Sequence, residues 1–210
     1  MDWQLDPAQT RVLGCLLEKE IATPDYYPLS LNALVNACNQ KSNRDPVVNY
    51  GEGAVEEALA ALRAQGLALR ITGGDSRVPK HAQRFTEKFN LGRREDAVMC
   101  LLMLRGPQTV GELRGRADRL YQFDGLEAVE TTLNRLAEME FAKKLPRQAG
   151  FKEPRWGHLL SGEPDAGPEV ASEPEPSAGR SPSDRERIAA LETALAELRR
   201  EFEDFKRSFE

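Results

Sequence analysis

The 210-residue sequence predicts a mainly α-helical α+β fold in which two related units, each ending in a small β-hairpin, are followed by a linker and a separate C-terminal helix. Three observations carry this. Apolar residues recur at helical spacing through most of the first 140 positions, the first half is repeated in the second, and an apolar 3-4 seam closes the chain after a proline-rich interruption.

In the first unit Asp6 caps a helix with Pro7 in its first turn, and Val12, Leu13, Leu16 and Leu17 form its buried face as far as about Ile21. Pro24 and Pro28 then bracket an ordered corner, because each proline disfavours helix at the preceding residue. Tyr26 and Tyr27 in that corner are read as packing residues, with a partner surface as the alternative. Ser30 caps a second, short helix whose stripe is Leu31, Leu34, Val35 and Cys38, and the polar loop Gln40, Lys41, Ser42, Asn43, Arg44 follows. Asn49 and Glu52 have capping-box spacing and open a third helix with Val55, Leu59 and Leu62 inward and a stop at Gly66. Leu67, Leu69 and Ile71 alternate, Gly73-Gly74-Asp75 turns the chain, and Val78 starts a return strand. Three helices and a hairpin are the parts of a winged helix, assigned to residues 1–88.

The second unit, residues 89–160, repeats this. "VLGCLL" (12–17) matches "AVMCLL" (97–102) at an offset of 85, "PLSLNAL" (28–34) matches "PQTVGEL" (107–113) at 79, and "VEEALAAL" (55–62) matches "VETTLNRL" (129–136) at 74. The falling offset gives the first copy 6 extra residues before its second helix and 5 before its third: the Tyr-Tyr corner and the polar loop. Asp124 and Glu127 repeat the capping-box spacing, and residues 141–160 supply a second hairpin. The expected architecture is a tandem pair of winged helices.

Residues 161–183 contain five prolines among Gly, Ser, Ala and Glu and are expected to be a disordered linker. From 184 to 210, Ile188, Leu191, Leu195, Leu198, Phe202, Phe205 and Phe209 follow one another at spacings 3-4-3-4-3-4, the a/d seam of a coiled coil, so self-association is expected through this helix.

The stretch "LDPAQTRVLGCLLEKEIATPDYYPLSLNALVNACNQKSNRDPV" (5–47) resembles the opening signature of the YceH-like family, bacterial proteins of unknown function built as tandem winged helices. The likeness extends, more loosely, to about residue 160. It implies the fold and no activity, so it transfers no functional residue.

Composition narrows the function classes. No apolar run approaches the ~20 residues that span a bilayer, and the acidic, polar start is unlike a secretory signal, so a cytoplasmic protein is expected. Cys15, Cys38 and Cys100 sit at apolar helical positions without CxxC spacing, and His81 and His158 stand apart from any nucleophile or ligand set; neither a cofactor, a metal nor an enzymatic activity is expected. Residues 1–160 carry 22 Lys+Arg against 21 Asp+Glu, a net +1, while 161–210 carry 7 against 13, a net -6.

The candidate contacts to nucleic acid or a protein partner are therefore local. They comprise Tyr26 and Tyr27, the loop Gln40–Arg44, and the wing cations Arg77, Lys80 and Arg84 in the first hairpin and Lys143, Lys144, Arg147 and Lys152 in the second. The third helices argue against base reading, since Glu52, Glu56, Glu57, Glu127, Glu130 and Glu138 occupy their outward faces. A DNA-associated protein of transcription-regulator type is the leading expectation. The alternative is a scaffold whose winged helices bind protein, like the winged-helix subunits of bacterial condensin.

Overall fold

The computed structural model describes residues 4–73, 76–147 and 153–164, with isolated positions at 193, 199 and 200. The expected coiled-coil seam from Ile188 to Phe209, Lys152, the Arg77 side chain and most of the linker lie outside the described residues. Met1–Val170 form one compact unit, and Ala171–Glu210 a second.

The first unit is α+β, with helices and two small antiparallel sheets. Its first half runs α1 (Pro7–Ala22), a 3-10 turn (Pro24–Tyr26), β1 (Leu29–Ser30), α2 (Leu31–Cys38), α3 (Glu52–Ala64), β2 (Ala68–Gly73) and β3 (Ser76–Gln83). β3 lies between β1 and β2, with Leu29 opposite His81 and Leu69 opposite Ala82. A short α4 (Phe85–Phe89) leads into α5 (Arg93–Arg105), α6 (Val110–Ala117), α7 (Leu126–Glu138), β4 (Ala142–Lys144) and β5 (Trp156–His158). The position of β1 is taken in this half by one residue, Gln108, which exchanges two main-chain hydrogen bonds with Trp156.

Local chemistry explains most of the boundaries. Asp6 accepts from the Gln9 amide at 2.8 Å while Gln9 reaches back to the Asp6 amide, so α1 begins at a complete capping box. Ser30 caps α2 through the Ala33 amide, and Thr109 with Glu112 caps α6. The expected boxes at Asn49/Glu52 and Asp124/Glu127 do not form. α3 and α7 instead start from Gly51 and Gly125 without a side-chain cap, which leaves Asn49 and Asp124 outside the first turn. Gly66 ends the third helix as expected, at φ 67°, in the left-handed region glycine enters without strain.

A single hydrophobic core runs through both halves. Its centre is the crossing of α1 and α5, where Val12, Leu13, Leu16, Leu17, Val98, Met99, Cys100 and Leu102 are fully buried. The helices approach closest at Gly14, where a Cβ would stand 2.9 Å from Leu104 Cδ2 and 3.1 Å from Met103 Cβ. The repeat thus places its two homologous first helices against each other. Phe85 and Phe89 of α4 stack edge-to-face on Phe141, adding an aromatic joint between the halves.

A candidate anion-binding junction

The polar loop after α2 turns inward at Arg44. Its guanidinium, fully buried, holds Glu18 of α1 through Nη2 at 2.6 Å and Nη1 at 3.2 Å. It also donates to the carbonyls of Ala37 and Asn43 and to Gln40 Oε1. A guanidinium so fully engaged has no donor left for a ligand, so the sequence-based expectation that Arg44 contacts phosphate is corrected: Arg44 is the loop's internal strut. Burial pushes the Glu18 carboxyl up, but the hydrogen bonds and charge of Arg44, with Lys19 beside it, outweigh burial and hold it below the usual carboxylate range.

The rest of the loop is fixed by both halves. The Asn39 side chain pairs with both main-chain groups of Tyr50 at 2.7 and 2.8 Å, and Arg11 donates to the carbonyls of Cys38 and Pro46. The Asp45 amide donates to the Leu104 carbonyl at the end of α5, and Arg105 donates to Asn43 Oδ1. The five-residue insertion of the first copy is therefore the clasp that joins it to the second. Lys41 and Ser42 remain exposed at its tip, while Gln40 and Asn43 are half-buried and bonded within the clasp.

Around this clasp the structure gathers arginines that the sequence reading did not single out. Arg105 from the end of α5, Arg116 from α6 and Arg119 just beyond it line one small depression with Glu18 and Asn43. Burial and then the charges of Arg116, Arg119 and Arg44 hold the Arg105 pKa below its ordinary value. Glu18 serves Arg44, Lys19 at 3.1 Å and Arg119 at 3.8 Å, and Glu112 serves Arg116 at 3.2 Å. Arg119 is two-thirds exposed and Arg105 Nε is buried without a hydrogen-bond partner. Arg44, Arg105, Arg116 and Arg119 thus gather around Glu18 and Glu112, a local excess of positive charge of the kind an oxyanion requires.

The other predicted contacts are scattered. Tyr26 stands 78% exposed, whereas Tyr27 is half-buried and its hydroxyl accepts from the Gln83 amide at 2.6 Å, bracing the corner against β3. Burial raises the Tyr27 phenol well above its ordinary value. Arg84 is engaged by Glu87 at 2.9 Å and Lys143 by Glu163 at 2.8 Å, as Arg116 is by Glu112 and, through Nη1, by Gln108 Oε1 at 2.7 Å, but these wing cations do not converge with others on one depression. Lys144 and Arg147 are exposed on the second wing and Lys80 is half-exposed on the first. The outward carboxylates of α3 and α7 are exposed as expected. Among the described residues no group of three His, Cys, Asp or Glu side chains converges as a metal site, and no helix is long and apolar enough to cross a membrane.

Residues 5–151 match the protein family described as "Protein of unknown function, DUF480". Full-length similarity accompanies this match: the chain is 68% identical to a UPF0502 protein of Solibacter usitatus across 100% of both chains. It is 52% identical to a UPF0502 protein of Citrifermentans bemidjiense over 93% of this chain and 90% of that one, and 48% identical to one of Geotalea uraniireducens across 100% of both. The chain belongs to this bacterial family, the same one the opening signature resembles.

Proposed function

We propose that the protein is a non-enzymatic, cytoplasmic DNA-associated protein built from tandem winged helices, and that it holds duplex DNA by its phosphates at the arginine junction. The convergence of Arg105, Arg116 and Arg119 on one depression carries this reading. Support for the winged-helix assignment comes from the helix-strand-helix-helix-strand-strand order of the first half, with β3 paired on both sides, and from its reduced echo in the second. Acidic outward faces on α3 and α7 repel the major groove, so the contact is to backbone and indifferent to sequence. Self-association through residues 184–210 would add avidity.

Binding to a random duplex over a salt series is the test. Three arginines at the junction correspond to a slope of log K against log salt of about -3. Binding that is absent at low salt, or that ignores salt, defeats the proposal.

A second reading has its own observation. Leu69 and Ile71 share one face of β2 by strand alternation and are 39% and 44% exposed, and Val78 on β3 is 56% exposed. An apolar hairpin face beside acidic helices suits a protein partner better than DNA. Retention of a protein partner by the wild-type chain, lost in Ile71→Lys while DNA binding stays absent in both, would favour this scaffold reading.

A further inference from the structure

Arg11 is a buried cation with no carboxylate partner among the described residues. It is 4% exposed, and its guanidinium donates to the main-chain carbonyls of Cys38 at 3.1 Å and Pro46 at 2.7 Å. Its Nε is buried without a hydrogen-bond partner, and among the described residues no carboxylate oxygen lies within 4.0 Å of it. A guanidinium kept from water by two carbonyls alone is costly, and such an orphan needs a reason.

The reason lies beside it. Arg11 lines a cleft of about 400 Å³ between the halves, within the range of small-molecule sites. Pro46, Tyr50 and Met103 give it apolar walls, and Thr10 and Ser161, whose hydroxyls are 2.9 Å apart, give it a hydroxyl pair. His158 also lines it; burial holds that imidazole down to about 4, so the ring is neutral at physiological pH, and its Nδ1 is buried without a partner. Asp45 and Glu163 stand exposed on the lining, Glu163 already engaged by Lys143. One buried cation with carboxylates at the rim disfavours a polyanion and suits a single negative charge on an apolar body.

We propose that this cleft binds a small organic monocarboxylate, benzoate-sized or somewhat larger, with its carboxylate directed to Arg11 and its apolar part between Tyr50 and Met103. The site is separate from the arginine junction and stands whether or not the chain binds DNA. Because Arg11 also anchors Cys38 and Pro46, the two ends of the clasp, an occupant would act on the loop that presents Lys41.

The experiment uses the full chain, isotope-labelled, titrated with benzoate, phenylacetate and neutral benzamide while amide shifts are followed. At least one of the two carboxylates should saturate with a Kd on the order of 1 mM, shifting Gly157 and residues beside Thr10 most, and benzamide should bind at least about tenfold more weakly. Ser161→Phe introduces a ring from an exposed position on the lining and should abolish saturation while the spectrum stays folded. Arg11→Gln should do the same, and if it fails to fold, Ser161→Phe decides. Linear, unsaturating shifts for both carboxylates, equal affinity for benzamide, or unchanged binding by Ser161→Phe would each overturn the proposal.

Discussion

Glu18 and Arg44 show how much rests on single side chains in this molecule. Removing one partner of a buried ion pair leaves the other charge stranded, so Glu18→Ala or Arg44→Ala should each lose about 3–5 kcal/mol in urea unfolding. The double replacement Glu18→Leu/Arg44→Met should recover much of that loss, since no buried charge is then stranded. The sign with pH follows from the depressed Glu18 carboxyl: its contribution is full above the unfolded value of about 4.3 and disappears as pH falls through the folded value. Asp96 behaves oppositely. Burial, with like charge from Glu20 and Glu95, raises it to about 6 against the opposing hydrogen bond that Thr86 donates at 2.9 Å. Its ionisation above pH 6 therefore costs stability. Asp96→Asn, which keeps an acceptor for Thr86, should raise Tm by a few degrees at pH 8 and lose that advantage near pH 4, where the wild-type carboxyl is also neutral.

Among the elements, the caps at Asp6 and Ser30 were legible in the sequence because capping is a contact between residues three apart. The failed boxes at Asn49 and Asp124 show the limit of that rule. Spacing alone cannot say which residue of a short polar run adopts the N-cap position, and in both runs the glycine next to the helix takes it. Arg44 reads from the sequence as a ligand contact, and its true partner is hidden because Glu18 lies 26 residues earlier, on α1. The arginine junction was equally hidden, although residues 105–119 contain four arginines and that density was an available signal. α1 and α5 were recognisable as copies of each other, but nothing in either copy announced that they pack together. Gly14 marks that contact. Gly14→Val forces branched methyls toward Leu104 and Met103 and should cost about 1–3 kcal/mol or more by thermal unfolding, whereas the same change at Gly53, open to solvent on α3, should cost well under that.

Across the whole compact unit, one core joins the halves through α1, α5 and the Phe85-Phe89-Phe141 joint. Residues 1–164 should therefore unfold in one calorimetric transition, with calorimetric and van't Hoff enthalpies in agreement; two resolved transitions would show that the halves are independent. The insertion in the first copy now has a physical role, since it supplies the clasp on which the second copy's Arg105 and the Leu104 carbonyl close. A cluster of arginines assembled across the two copies is invisible when each copy is taken alone. Whether this cluster holds phosphate is tested by comparing the salt dependence of duplex binding by the wild-type chain with that of Arg105→Gln/Arg116→Gln/Arg119→Gln, with folding checked by circular dichroism. We predict that the wild-type slope of log K against log salt falls in magnitude by about 3 in the variant, with affinity lost uniformly across duplex sequences. An unchanged slope in a folded variant would rule out phosphate binding by these arginines.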